Sequence, residues 1–270
     1  METIAQRQVS IRPLCGAIGA EISGARIADL DEESFAAVRD AFYAHTMLVF
    51  RDQFVDPDAQ IRFTRRWGPV YITPYLKKVE GYEELVPQIN RGKAKTATEL
   101  WHSDGSFFPD PPGIAILAAK VLPPAGGDTM FANAYAAYDA LSDRMKQLLE
   151  GLRCIHVDTV LYKSGIENAN APDQSYPVVR THPVTRRKCL YVNEMFSSHF
   201  DGMTREESRG LMQYLFDHSS RHEFVYRHQW RPGDVVMWDN RCTLHYAVHD
   251  YGDAQRVMHR TSVDGGGRPV

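Results

Sequence analysis

The sequence predicts a mainly β fold, a β-sandwich or jelly roll decorated with α-helices. Short runs of β-branched and aromatic residues, separated by glycine and proline turns, recur along most of the chain. Helical spacing of apolar residues is confined to an early and a late part, which does not fit the regular alternation of strand and helix that builds a parallel sheet. With 270 residues the chain can bury a sizeable core, and we expect a single domain over 1–270.

The N-terminal part is predicted to hold short strands followed by a capped helix. The stretch "VSIRPLCGAIGAEISGARI" mixes apolar positions with glycines, which favours strands broken by turns. In "EESFAAVRDAFYAH", Phe35, Val38 and Phe42 recur at helical spacing, and Asp31 stands where an N-cap is needed. The β-type run "TMLVF" that follows predicts a further strand.

Two more helices are predicted from their capping residues. In "DPDAQIRFTRRWG", Asp56 is a candidate N-cap and Pro57 occupies the first helical position, where its missing N–H costs nothing. In "GMTREESRGLMQYLFDH", Thr204 and Glu207 have the spacing of a capping box. The C-terminal segments "RPGDVVMWDN" and "RVMHRTSV" are typical of a turn and strands.

Two polar stretches, residues 90–99 and 163–177, interrupt this order. Both are poor in large apolar residues, and we therefore predict loops. Loops of this length often act as lids over a binding site, but a plain surface insertion fits the sequence equally well.

Composition excludes several classes of partner. The net charge is −3 and no block of five or six like charges occurs, so a nucleic-acid partner is not expected. The start "METIAQRQVSIRP" lacks the apolar core of a signal peptide, and no apolar stretch approaches the ~18 residues of a membrane span. We therefore expect a cytoplasmic protein with no membrane partner. The four cysteines show no Cys-x-x-Cys spacing, which indicates free, buried thiols.

Pairs of a histidine and an aspartate two residues apart are the candidate metal ligands. On a strand, such side chains point to one face, and nitrogen plus carboxylate oxygen suits an iron-like ion when a second histidine completes the site. About one or two pairs of this kind are expected by chance, and an ordinary hydrogen-bonded bend is the alternative for each. Spacing does not choose among the three pairs present: His102/Asp104 in "LWHSDGSF", His156/Asp158 and His199/Asp201.

The C-terminal segment "DNRCTLHYAVHDYGDAQRVMHRTSV" adds His245 and His249, followed by two arginines four residues apart. If "RVMHRTSV" is a strand, Arg256 and Arg260 share a face and could clamp an anion. An exposed pair would be solvated surface. A buried pair would need carboxylate partners from the protein or from a ligand, because uncompensated buried charge is costly.

Several separated segments occur in the order shown by a known enzyme family. "WHSDGSF", "PPAGGDTMFANAYAAYDALS", "RTHPVTRRKCLYVNE" and "GDVVMWDNRCTLHYAVHDYGDAQRVMHRTSV" together resemble the taurine/2-oxoglutarate dioxygenase family, which includes enzymes acting on alkylsulfonates and aryloxyalkanoate herbicides. The resemblance runs from about residue 10 to about residue 264. It implies a double-stranded β-helix, that is a jelly roll, decorated by α-helices, which agrees with the strand pattern.

The resemblance also selects among the candidate site residues. It implies that His102, Asp104 and His245 are the catalytic iron ligands. Three protein ligands leave three positions open on Fe(II), two for 2-oxoglutarate and one for O2. Arg256 matches the arginine that grips the distal carboxylate of 2-oxoglutarate, and Thr129 matches the threonine that assists there.

For the substrate, the resemblance implies that Arg260 meets an anionic group: a sulfonate, sulfate, phosphonate or carboxylate. Thr73 and Leu76 stand where the alkylsulfonate enzyme has a histidine and a tyrosine that contact taurine, which is evidence against taurine itself. Phe107 is expected to line a pocket for a larger organic anion, with a core position as the alternative. The same expectation applies to Tyr71, Tyr75 and Phe108.

The family chemistry implies oxidative decarboxylation of 2-oxoglutarate to succinate and CO2 with hydroxylation of the substrate, which can then break a carbon–heteroatom bond. Desaturation or cyclisation at the same iron site, and a non-catalytic jelly roll that binds 2-oxoglutarate, remain alternatives. Because family members are commonly dimers or tetramers, a homo-oligomer is expected. His156, His199, His249 and His259 are expected to be structural or surface residues, and Trp101 and Trp238 are expected to pack beside the site rather than take part in the chemistry.

Overall fold

The computed structural model describes residues 9–74, 76–90, 98–158 and 173–270, and these residues are mainly β with some helices. The helices in this part of the chain are α1 Glu32–His45, α2 Pro57–Arg65, α3 Ala134–Asp139, α4 Asp143–Leu149 and α5 Arg205–Ser219, with a 3₁₀ turn at His222–Phe224. The strands are β1 Ser10–Pro13, β2 Ala20–Ser23, β3 Met47–Phe50, β4 Val86–Asn90, β5 Ile114–Val121, β6 Thr129–Asn133, β7 Arg153–His156, β8 Gln174–Pro177, β9 Val179–Thr181, β10 Lys188–Leu190, β11 Ser197–Phe200, β12 Val225–His228, β13 Val235–Asp239, β14 Thr243–Ala247 and β15 Arg256–Val263.

The predicted helix starts are confirmed by their caps. Asp31 accepts a hydrogen bond from Ser34 N at 2.7 Å, and Asp56 accepts one from Ala59 N at 2.7 Å. Thr204 forms the complete capping box with the third helical residue of α5. Each side chain satisfies an N–H group that the first helical turn leaves unbonded.

Two sheets position the site. The larger has seven strands in the order β1-β2-β3-β13-β5-β15-β4, in which the β2–β3 pair is parallel and the other pairs are antiparallel. The smaller has the order β12-β6-β14 and is antiparallel. The remaining described strands form β11-β7-β8 and β10-β9.

The larger sheet lies between a helical layer and the smaller sheet. Along β13, Val235 and Met237 belong to the core shared with α1 and α2, whereas Val236 and Trp238 belong to a second core. This alternation follows from the two-residue period of a strand. Phe131 of the smaller sheet completes the second core, with its ring centroid 5.3 Å from that of Trp238.

Helix α2 fixes which face of β15 points to the smaller sheet. Gln60 Nε2 donates to His259 O at 2.9 Å, and the hydroxyls of Thr64 and Thr261 are 2.7 Å apart. His259 and Thr261 occupy odd positions of the strand, so its even positions face the second core, where Met258 is fully buried. The strand predicted for "RVMHRTSV" and the shared face of its two arginines are therefore confirmed.

Other predictions have mixed outcomes. The four cysteines are free, and three of them are buried, as expected. The loop predicted for residues 163–177 is wrong at its end, because Gln174–Pro177 pairs with β7 and alternates buried with half-buried positions. Residues 91–97 and 163–172 lie outside the described residues, so the lids stay predictions. Among the helices that the structure describes, none combines the length and apolarity of a membrane span.

Candidate metal centre

Two histidines face each other across a single β-bridge. His245 lies in β14, and His102 pairs with it through two backbone bonds, His102 N to His245 O at 3.0 Å and His245 N to His102 O at 2.8 Å. Residues that exchange both bonds are directly opposite each other and project their side chains to the same side. The two ring centroids are 4.0 Å apart.

Asp104 reaches these histidines from a turn. The prediction that His102 and Asp104 lie on one strand face is wrong, because His102 forms only the isolated bridge and residues 104–107 are a turn. Gly105 has a φ of +57° in this turn, a left-handed conformation that glycine adopts without steric cost. The carboxylate is directed back to the histidines, with Oδ1 3.8 Å from His245 Nε2.

One ligand atom from each of His102, Asp104 and His245 lies within 4.8 Å of the other two. Two imidazole nitrogens and one carboxylate oxygen are the donor set that suits an iron-like ion with open positions. The other two histidine–aspartate pairs do not converge with a third ligating residue in the part of the chain that the structure describes. A second grouping does occur there: His182, Asp239 and Cys242.

That second grouping is a structural ion-pair network. His182 Nε2 donates to Asp239 Oδ2 at 3.0 Å, while its Nδ1 accepts two backbone N–H groups. Arg241 donates to both oxygens of Asp239 at 2.7 Å. Because the guanidinium already neutralises this carboxylate, the network fixes the turn after β13 and leaves no anionic ligand for a cation.

The three candidate ligands carry the protonation states that metal binding needs. His102 Nδ1 donates to Leu100 O at 2.7 Å, which leaves the lone pair of Nε2 free. Burial lowers the pKa of His102 and lowers the pKa of His245 to about 3, so both rings are neutral near pH 7. Burial raises the pKa of Asp104, but the charge of Arg260, with smaller contributions from the two histidines, outweighs it and lowers that pKa to about 2.

Arg256 is a buried cation that faces the same space. Its Nε donates to Gly127 O at 3.1 Å and its Nη2 to Thr129 Oγ1 at 3.4 Å. Trp230 Nε1 also donates to Thr129 Oγ1, at 3.0 Å. Within the described residues, no carboxylate forms an ion pair with Arg256, and burial lowers its pKa from the ordinary value. A ligand carboxylate would supply the missing counter-charge.

Two cavities meet at His102 and Asp104, and His245 lines the larger of them. The larger has a volume of about 320 Å³ and includes Thr129, Trp238 and Arg256 in its lining. The smaller, of about 160 Å³, is lined mainly by apolar and aromatic side chains. Their shared lining consists of Leu76, Thr98, His102, Asp104 and Arg260.

Arg260 stands on this shared wall and is 8% exposed. Its Nη1 donates to Asp104 Oδ1 at 2.9 Å. Its Nε is buried and has no hydrogen-bond partner among the described residues. A buried donor without a partner costs about 1–3 kcal/mol, so a ligand oxygen at this position would relieve the cost.

The structure brings most of the predicted pocket residues together. Thr73, Leu76 and Phe107 line the smaller cavity, as do Tyr71 and Phe108. Trp238 packs beside the site, as predicted, with its ring centroid 4.9 Å from that of His245, and it lines the larger cavity. Tyr75 lies outside the described residues. Outside the lining of both cavities are His156, His199, His249, His259 and Trp101.

Sequence reasoning missed two groups of residues. Met195 and Phe196 line the smaller cavity from the turn that follows "RTHPVTRRKCLYVNE", where nothing in their own pattern indicates a pocket. Asn240, directly after β13, hydrogen bonds to Asp104. A polar residue after a buried strand is an ordinary turn signal, so only the fold shows this contact.

The whole chain was compared with known proteins. It matches the family described as taurine catabolism dioxygenase TauD, TfdA family over residues 10–262. The alkylsulfatase of Acinetobacter baylyi is 34% identical over 276 residues, which cover 96% of this chain and 86% of that protein. The alpha-ketoglutarate-dependent 2,4-dichlorophenoxyacetate dioxygenase of Cupriavidus pinatubonensis is 37% identical over 243 residues, covering 80% and 84%.

Solved structures show the same likeness. A taurine dioxygenase from Burkholderia xenovorans superposes with a TM-score of 0.86 at 31% identity, covering 97% of this chain and 92% of that chain. AAD-2 in complex with Mn(II) and N-oxalylglycine superposes with a TM-score of 0.81 at 31% identity, covering 97% and 100%.

Proposed function

Because this chain belongs to the taurine catabolism dioxygenase TauD, TfdA family, we propose that His102, Asp104 and His245 bind Fe(II) as the catalytic centre. Membership confirms the resemblance inferred from the sequence. The protein is an Fe(II)- and 2-oxoglutarate-dependent dioxygenase that acts on a small organic anion. When bound, iron with O2 converts 2-oxoglutarate to succinate and CO2 and inserts one oxygen atom into a C–H bond of the substrate.

The observation that carries the residue roles is the position of the three candidate ligands. His102 and Asp104 lie on the wall shared by two cavities, and His245 lines the larger one. Each cavity is lined by a buried arginine that lacks a counter-charge or has an unused donor. This arrangement suits a site that binds two different anions, one in each cavity, next to a single metal ion.

Arg256 and Thr129 take 2-oxoglutarate in the larger cavity. The distal carboxylate accepts from the guanidinium fork of Arg256, which no carboxylate of the described residues occupies, and from the hydroxyl of Thr129. Trp230 donates to that hydroxyl, so the hydroxyl hydrogen is free to point to the ligand. Arginine suits this role because its two parallel N–H groups match a carboxylate.

The substrate binds in the smaller cavity with its anionic group on Arg260. The free Nε of Arg260 supplies the donor, and Phe107, Phe108 and Phe196 supply apolar surface for the rest of the molecule. Thr73 and Leu76 complete the lining, so the fit favours an organic anion with a bulky apolar or aromatic body over taurine. The relatives named for alkylsulfates and 2,4-dichlorophenoxyacetate support this class.

The first test is spectroscopic. Metal-free protein is mixed anaerobically with Fe(II) and 2-oxoglutarate, and we expect the weak visible charge-transfer band of the chelate. The band should vanish in His102→Ala and should need much more 2-oxoglutarate in Arg256→Ala. A folded wild-type protein that gives no band would contradict the proposed iron site and favour the non-catalytic alternative.

The second test identifies the reaction. With O2 and a panel of sulfates, sulfonates and aryloxy acids, succinate should form in the wild type and not in His245→Ala. Product mass separates the outcomes, because hydroxylation adds an oxygen atom whereas desaturation or cyclisation removes two hydrogens.

We propose further that the larger and smaller sheets form a double-stranded β-helix within one domain over 1–270, and that the protein is a cytoplasmic homo-oligomer, a dimer or a tetramer. The second core between the two sheets supports the jelly roll. Light scattering on the purified protein tests the oligomer, and a monomeric mass at working concentration would exclude it.

A further inference from the structure

Asn240 uses both the oxygen and the nitrogen of its side-chain amide next to the candidate metal site. It is 2% exposed and follows β13 directly. Its Oδ1 accepts from Trp238 Nε1 at 2.9 Å and from Asp104 N at 3.3 Å, while its Nδ2 donates to Asp104 Oδ2 at 3.3 Å. The side chain therefore holds both the backbone and the carboxylate of Asp104.

The amide can take only one orientation here. The indole N–H of Trp238 and the backbone N–H of Asp104 are donors only, so they both require the oxygen of the Asn240 amide. The carboxylate of Asp104 accepts only, so it requires the nitrogen. Rotation of the amide by 180° would put two donors against the NH₂ group and two oxygens against each other.

The two oxygens of Asp104 have different partners. Oδ1 lies on the side of His245 Nε2, at 3.8 Å, and it also accepts from Arg260. Oδ2 is the oxygen that Asn240 holds. The backbone of Asn240 is itself anchored, because its N donates to Gly113 O at 2.8 Å and its O accepts from Ser103 Oγ at 2.6 Å.

We propose that Asn240 is a positioning residue that holds Asp104 by Oδ2 so that Oδ1 faces the metal, and that Trp238 helps to fix the orientation of the Asn240 amide. This inference rests on the proposed metal site. Partners of this kind orient a ligating carboxylate before the ion arrives, and their loss typically lowers metal affinity about 10–100-fold.

The test measures Mn(II) binding alone, anaerobically and without 2-oxoglutarate, by the electron paramagnetic resonance signal of free Mn(II). We expect the dissociation constant to rise about 10–100-fold in Asn240→Ala. Trp238→Phe keeps an aromatic ring but removes the indole N–H, so only Asp104 still holds the amide in its orientation, and we expect a smaller rise in the same direction. This second variant tests the inference even if Asn240→Ala does not fold.

Matched controls separate positioning from general loosening. Asn193→Ala removes another amide that is 2% exposed and donates to Ser106 Oγ at 3.0 Å, without touching Asp104. Trp230→Phe removes the other indole N–H near the site, the one bonded to Thr129. Both controls should keep the wild-type Mn(II) affinity.

Each outcome is decisive. Wild-type affinity in Asn240→Ala would overturn the positioning role of Asn240, and wild-type affinity in Trp238→Phe would overturn the orienting role of Trp238. An equal loss in Asn193→Ala or Trp230→Phe would also overturn the inference, since it would show a loss of packing only. A wild-type protein that does not bind Mn(II) would instead contradict the proposed metal site itself.

Discussion

Arg260 donates to Asp104 at 2.9 Å through Nη1, while its Nε stays buried without a partner among the described residues. One cation therefore holds a candidate metal ligand with one N–H and keeps another N–H unpaired beside the two cavities. The ion pair also keeps Asp104 ionised, because the positive charge lowers its pKa.

Arg260→Gln is expected to weaken substrate binding more than metal binding. A charge-assisted hydrogen bond contributes about 1.5–3 kcal/mol, so KM for the organic anion should rise about 10–150-fold. Mn(II) affinity should change much less, because all three proposed metal ligands remain in this variant. Steady-state kinetics and Mn(II) titration measure the two effects, with Arg39→Gln on the surface as control. An unchanged KM would contradict the role of Arg260.

Gly127→Ala is expected to weaken 2-oxoglutarate binding. Gly127 has a φ of +76°, and an added Cβ would lie 3.2 Å from Arg256 Cδ, so the guanidinium must shift. Gly151 is a matched control, since its φ is +78° and an added Cβ would meet nothing within 4 Å. Both alanine variants should lose about 1 kcal/mol of stability through backbone strain.

Only Gly127→Ala should raise the 2-oxoglutarate concentration needed for the anaerobic Fe(II) chelate band. An equal shift of that concentration in both glycine variants would contradict the role of Arg256 in holding 2-oxoglutarate.

Phe108→Ala is expected to reduce selectivity for aromatic anions. The Phe108 ring lines the smaller cavity with its centroid 4.3 Å from that of Phe107, so its loss removes apolar contact from one wall. The ratio of kcat/KM for an aryl anion to that for a short alkyl anion should fall about tenfold or more, as expected for about 1.4 kcal/mol of lost contact. Phe54→Ala, an exposed position outside both cavity linings, is the control; an unchanged ratio would mean that the aryl group binds elsewhere.

His156 is expected to make the fold less stable in acid. It is fully buried, its Nδ1 is 3.0 Å from Ser106 Oγ, and burial lowers its pKa to about 3. In the unfolded chain His156 binds a proton near pH 6.5, whereas in the folded protein it does not. Its contribution to the free energy of unfolding is therefore fully present above that pH and falls by about 1.4 kcal/mol per pH unit as the pH drops toward 3.

Between about pH 6.5 and pH 4.5, the free energy of unfolding should therefore fall by about 2 kcal/mol less in His156→Gln than in the wild type, although the variant is less stable at pH 6.5. Urea unfolding at both pH values measures this difference, with the exposed His222→Gln as control. Parallel losses in His156→Gln and the wild type would show that His156 does not carry the effect.

The sequence predicted the starts of α1, α2 and α5 because the causes of these starts are local. It missed α3 and α4, so the expectation that helices occur only early and late in the chain is wrong. Asp31, Asp56 and Thr204 cap helices within three residues of their own positions. The shared face of Arg256 and Arg260 follows from strand geometry alone. The strand β8 was missed because its polar composition, "QSYP", does not resemble that of a buried strand.

The site could be predicted only in part, because its geometry depends on distant pairing. Spacing could not choose His102 over His156 or His199, and the choice came from the resemblance. The contact of Asn240 with Asp104, and the entry of Phe196 into the smaller cavity, exist only after β13 and β14 have taken their places. No window of neighbouring residues contains that information.

The β-bridge between His102 and His245 also sets the order in which the site can assemble during synthesis. His102 and Asp104 leave the ribosome long before β14 does, and until β14 pairs with β6 there is no backbone for His102 to bond. A nascent chain that has only His102 and Asp104 of the three candidate ligands would therefore bind a metal ion weakly. Binding of a metal ion at the proposed site must then wait for the C-terminal strands, so newly made protein could not take up iron there before β14 pairs with β6.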